Sequence, residues 1–148
     1  MYSSQVLSDT ALPGRFQRIE RPARTLLDVA HNPDAVSMLL ARLQEMTFSR
    51  CHAVMGMYAD KDKATVIAMM AGLVDCWYFA GLAESRGASA ADLAACVPPE
   101  SGCEIRTYDK VGAAYDDAVQ RSTGDDLILV FGSFPAVADV LGSLRLAG

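Results

Sequence analysis

Glycine-rich phosphate motifs are missing from this sequence. It has neither GxxxxGK[ST] nor GxGxxG, so it offers no P-loop and no ordinary dinucleotide-binding turn. A Gly-x-Ser-x-Gly nucleophile elbow is absent as well. No uncharged apolar stretch reaches the roughly 18 residues that a membrane span requires. The start, MYSSQVLSDTALPGR, has no basic segment followed by an apolar block, so no secretory signal is read. No membrane partner is expected, and the cytoplasm is the expected compartment.

Metal-binding and redox residues are also scarce. Of four cysteines, Cys51 and Cys76 sit inside apolar runs and read as buried thiols. Cys96 and Cys103 flank VPPESG at a spacing that fits no common zinc pattern. With only two histidines, neither a disulfide framework nor a structural metal is expected. Basic charge is short too: residues 51–148 carry 13 acids against 7 bases, which excludes a sustained basic face for nucleic acid. Arg15, Arg18, Arg21 and Arg24 cluster before the first apolar strand. They suit either a small anionic ligand or a solvated edge strand.

What is present is an alternation of short apolar runs with helix-period segments. GRFQRIE, TLLDVA, CHAVMGM, DCWYFAGL, EIRTYD and DLILVFGS read as strands. NPDAVSMLLARLQEM, DKATVIAMMAGL, SAADLAACV, VGAAYDDAVQR and FPAVADVLGSLRLA read as helices. Asn32 and Ser89 stand at helix starts as caps, and Pro33 suits a first helical position. Such alternation predicts one α/β domain with a mainly parallel sheet of about six strands and helices on both faces. The first strand, joined by a tight turn, is the expected antiparallel exception. His52, Trp77, Met55, Met57, Met69 and Met70 read as core. Ligands in such folds gather beyond the carboxyl ends of the strands, which directs attention to DVAHNPD, GMYADKD, FAGLAES and VFGSFP.

DVAHNPD holds more acid, base and amide than a helix start needs. Asn32 alone caps the helix, yet Asp28, His31 and Asp34 accompany it. LPGRFQ, then LLDVAHNPDA with Asp28 thirteen residues after Arg15, then MYADKD and VFGSF, follow in order over residues 12–148. These motifs resemble the carboxyl-terminal domain of bacterial bifunctional folylpolyglutamate synthase/dihydrofolate synthase, of the Mur ligase superfamily.

The resemblance implies a Rossmann-like domain over residues 12–148, preceded by a polar tail or linker remnant at 1–11. It implies ATP-dependent amide formation: dihydropteroate or a folate, L-glutamate and ATP give the amide, ADP and phosphate through an acyl phosphate. In that family the P-loop, the magnesium ligands and most of the pterin pocket belong to a preceding ATPase domain. That domain is expected to be missing before LPGRFQ in this chain, so ATP, magnesium and the ATPase domain are implied partners, and the domain alone is expected to be inactive.

Residue by residue, the resemblance makes Arg15 an ATP contact and Asp28 a nucleotide contact, most simply to ribose. His31 would lie near the transferred phosphate and the glutamate, as a catalytic and substrate-binding group. Lys61 and Ser133 would meet the glutamate carboxylate. No metal ligand is assigned to this chain. Each residue also has a plainer role: Arg15 a surface arginine, Asp28 a turn organiser, His31 a satisfied loop residue, Lys61 a solvated helix start, Ser133 a helix cap. A free-standing nucleotide- or anion-binding module, and a Mur-type ligase acting on a peptidoglycan precursor, are the alternatives.

Overall fold

A computed structural model describes residues 15–59, 62–82 and 86–147. Six strands form one sheet: β1 (Gln17–Ile19), β2 (Thr25–Asp28), β3 (Cys51–Met55), β4 (Cys76–Ala80), β5 (Glu104–Tyr108) and β6 (Leu127–Phe131). The helices are α1 (Pro33–Leu43), α2 (Lys63–Met70), α3 (Ala90–Ala94), α4 (Val111–Arg121) and α5 (Phe134–Ala147). The spatial order is β1-β2-β6-β3-β4-β5. Only β1 is antiparallel, pairing Gln17 with Leu27 and Ile19 with Thr25. The remaining neighbours are parallel, as expected for strands linked by helical crossovers.

Period-two alternation sends successive side chains to opposite faces, and both faces are apolar. Leu26, Ala53, Met55, Trp77, Phe79, Leu129 and Phe131 pack with Val36, Leu39 and Leu43 of α1, Val66, Ile67 and Met70 of α2, and Leu93 of α3. Leu27, Val54, Tyr78, Ile128 and Val130 pack with Val111, Ala114, Tyr115 and Ala118 of α4 and Ala136, Val137 and Val140 of α5. β3, β4 and β6 are buried along their whole length, which is why their sequences read as continuous apolar runs. β5 is the opposite edge strand, and its Glu104 and Ile105 are exposed. Among the described residues no helix is long and apolar enough to cross a membrane.

Several elements are shorter than the sequence pattern suggests. The GRFQRIE strand begins only at Gln17, because Phe16 takes φ 46°, outside the extended region. The helix after DVAHNPD stops at Leu43, whereas the pattern ran on to Met46. Asn32 does cap it, its side-chain oxygen accepting from the Ala35 N–H at 2.9 Å, with Pro33 at the first position. Ser89 likewise accepts from the Asp92 N–H at 3.0 Å.

Candidate functional site

The carboxyl ends of β2 and β6 lie side by side, with Asp28 in register with Phe131. The Gly132 N–H donates to the Ala30 carbonyl at 3.0 Å and so ties the VFGS turn to DVA. Gly132 has φ 110°, and a Cβ there would stand 3.0 Å from the Gly56 carbonyl oxygen. Only glycine meets both conditions without strain. Ser133 follows directly and is 1% exposed. Its hydroxyl donates to the Gly56 carbonyl at 2.7 Å and accepts from the Ala136 N–H at 3.2 Å. One proton and one acceptor site are thus spent on joining the ends of β3 and β6 and on starting α5.

Asp28 is similarly engaged. One carboxylate oxygen accepts from the Phe16 N–H and the other from the Ala30 N–H, both at 2.9 Å. The first bond binds the entry of β1 to the end of β2; the second shapes the turn. Organising this turn is therefore one real role of Asp28, although each oxygen keeps a further lone-pair site. His31 is half-buried, and its Nδ1 lies 3.1 Å from the Val29 carbonyl. A carbonyl can only accept, so Nδ1 carries the proton, and Nε2 of the neutral ring presents a lone pair.

Arg15, Asp28, His31 and Asn32 line one cavity of about 250 Å³, closed by Phe16 and by Met38, Leu39 and Arg42 of α1. Phe16 is 4% exposed despite its left-handed backbone, a conformation that costs a bulky residue about 1–3 kcal/mol. The Arg42 guanidinium lies over its ring, 3.6 Å from the centroid. Two guanidiniums, of Arg15 and Arg42, against the one carboxylate of Asp28 give the cavity surplus positive charge, suited to an anionic ligand. Phe16 and Arg42 were not singled out from the sequence. Helical spacing was the available signal, since Ala35, Met38, Leu39 and Arg42 fall on one face of α1.

A larger groove, about 600 Å³, lies between the loop after β5 and α5. It contains Asp109 and Lys110 but none of the motif residues, so size and chemistry point to different places, and the chemistry favours the smaller cavity. Lys61 lies outside the described residues, as do Leu12, Pro13 and Gly14. Ser133 does not line the cavity. Among the described residues no group of three His, Cys, Asp or Glu side chains could hold a metal ion. Cys51 and Cys76 are buried, and burial pushes both thiols up, Cys51 the further, which disfavours the nucleophilic thiolate.

The family model for "Mur ligase, glutamate ligase domain" matches residues 14–134. The chain is 38% identical over 136 residues to the Escherichia coli (strain K12) dihydrofolate synthase/folylpolyglutamate synthase, covering 91% of this chain and 31% of the relative. A crystal structure of a bifunctional folylpolyglutamate synthase/dihydrofolate synthase with Mn, AMPPNP and L-glutamate bound superposes with TM-score 0.84 at 39% identity, over 91% of this chain and 32% of that one. E. coli FolC in complex with DHPP and ADP gives TM-score 0.82 at 38% identity, over 92% and 32%. This chain thus spans about a third of the length of the relatives it matches. By that match, by its parallel sheet with one antiparallel edge and by the motifs at the strand ends, the chain belongs to the Mur ligase family through its glutamate ligase domain.

Proposed function

We propose that this chain acts as the carboxyl-terminal domain of an ATP-dependent folate glutamate ligase, supplying ATP and glutamate contacts to a cleft shared with an ATPase domain. The observation that carries the reading is the positively charged cavity that gathers Arg15, Asp28 and His31 at the carboxyl ends of the strands. In the proposed reaction a carboxylate oxygen of dihydropteroate or a folate attacks the γ-phosphorus of ATP. The bond to ADP breaks and an acyl phosphate forms. The amine of L-glutamate then attacks the acyl carbon, phosphate departs with the C–O electron pair, and the nitrogen loses a proton.

Each residue has a part in this reading. Arg15, exposed beside the cavity, neutralises charge on the phosphates. Asp28 uses its remaining lone pairs for a ribose hydroxyl. The unprotonated Nε2 of His31 accepts a hydrogen from the glutamate amine and orients it. Lys61 meets the glutamate carboxylate, and Ser133 contributes by holding the positive start of α5 beside it. The divalent cation that accompanies ATP is assigned to the ATPase domain.

Steady-state kinetics on the full-length protein containing this chain test the reading. With ATP, magnesium, glutamate and dihydropteroate, dihydrofolate and phosphate should form in equal amounts. Arg15→Ala should lower kcat/KM for ATP by roughly a hundredfold or more, as expected for loss of a cation from a developing phosphate charge. The 148-residue chain alone should show no turnover. It should hold a non-hydrolysable ATP analogue with Kd on the order of millimolar, since half a cleft supplies few contacts. Unchanged ATP kinetics in Arg15→Ala, or micromolar binding by the chain alone, would overturn this division of labour.

A further inference from the structure

Arg42 lines the cavity but has no part in the roles above. Its guanidinium carbon lies over Phe16, 3.6 Å from the ring centroid, and among the described residues no carboxylate pairs with it. A surface arginine in water has little reason to settle on a ring unless that ring is fixed in place. Phe16 is so fixed: its ring is buried, its N–H is held by Asp28 at 2.9 Å, and its φ is 46°. A bulky residue leaves the left-handed region whenever its restraints loosen. Rotation of Phe16 back to negative φ turns the peptide that joins it to Arg15. The direction of the Arg15 side chain therefore depends on what pins Phe16.

We propose that Arg42 is a positioning residue: its guanidinium clamps the Phe16 ring, keeps Phe16 in its left-handed conformation, and so aims Arg15 into the cavity. What Arg15 is aimed at rests on the ligase reading; the clamp itself does not. The same geometry gives Asp28 a share in the work, because its Oδ2 holds the other side of the Phe16 residue through the backbone. Arg18 approaches the ring too, but at 5.6 Å from the centroid it is the looser neighbour.

Arg42→Met keeps the length of the stem while removing the charged plane, and the full-length protein is the test object. Kinetics are measured for Arg42→Met in the wild-type and in the Arg15→Ala background, with amide exchange by mass spectrometry over residues 15–19. Arg42→Met should lower kcat/KM for ATP by about three- to tenfold and accelerate exchange at the Phe16 amide. In the Arg15→Ala background the same change should cost less than about twofold, because an aim that no longer matters cannot be lost. An equal loss in both backgrounds would overturn the proposal, since Arg42 would then act by its own contact or through general stability. Unchanged exchange at Phe16 would overturn it as well. If Arg15→Ala itself keeps wild-type ATP kinetics, the ligase role of Arg15 fails, and exchange alone judges the clamp. Faster exchange confined to Phe16 and its neighbours would then support it.

Discussion

The chain's two histidines stand toward opposite ends of the parallel strands and live in opposite circumstances. His52, near the start of β3, is 2% exposed and has both ring nitrogens engaged, Nδ1 with the Tyr78 hydroxyl and Nε2 with Asp126, each at 2.9 Å. Asp126 also accepts from the Thr123 N–H at 3.2 Å. This is a closed network, in which Nε2–H donates to the carboxylate and Nδ1 is engaged by the Tyr78 hydroxyl, leaving no ring site for a ligand. His31, beyond the carboxyl end of β2, is half-buried beside a charged cavity and spends one nitrogen on its own loop. Saturation marks a structural histidine and a spare nitrogen marks an available one. Composition alone treats the two alike.

Substitutions sharpen the contrast, and the largest effect on stability should come from the closed network. Asp126→Ala leaves the buried Nε2–H of His52 without an acceptor and should lower unfolding free energy by about 2–4 kcal/mol. Chemical denaturation measures it, and a change under about 0.5 kcal/mol would mean that water reaches the cluster freely. His31→Ala should do the reverse. Stability should hold within about 0.5 kcal/mol, because only one contact to a neighbouring carbonyl is lost. In the full-length protein kcat/KM for glutamate should fall roughly ten- to a hundredfold, the cost of one hydrogen bond to a charged substrate. If the kinetic defect merely follows a lowered melting temperature, His31 belongs with His52.

Acid should separate the two histidine sites as well. Burial raises the Asp126 carboxyl, but the His52 hydrogen bond, the Thr123 N–H and the nearby charges of His52 and Arg50 outweigh it, so the group lies below its ordinary 3.8. A depressed folded value means that the unfolded chain binds the proton more readily. The stabilisation is complete above about pH 4 and disappears as pH falls through the lower, folded value. Stability measured from pH 6 down to pH 2.5 should therefore drop less steeply in Asp126→Asn than in the wild type. Equal slopes would remove Asp126 from the acid response. A smaller loss than at Asp126 is expected beside the cavity: Asn32→Ala should cost about 1 kcal/mol through loss of the α1 cap, measured by thermal melting.

The elements that were legible in advance share a physical basis. Runs such as CHAVMGM and DLILVFGS read as buried strands because a strand covered on both faces must be apolar at every position. Asn32 and Pro33 announced α1 because capping is settled within a few residues. The length of β1 was misjudged because a positive φ at a phenylalanine has no signature in its own sequence. Restraints from Asp28, Arg42 and the core impose it.

From its order of residues alone this protein had a fold class, an antiparallel edge and a carboxyl rim carrying Asp28, His31, Lys61 and Ser133 with Arg15 just upstream, since periodicity, capping and turn chemistry are local. Tertiary structure alone decided how those residues are used. It paired the Ser133 hydroxyl with a carbonyl 77 positions away and both Asp28 oxygens with peptide N–H groups. It closed His52 into a network with Asp126, 74 positions distant, and laid Arg42 on Phe16. A side chain's spare hydrogen-bonding capacity depends on which distant groups the packed sheet brings against it, and no local pattern encodes that proximity.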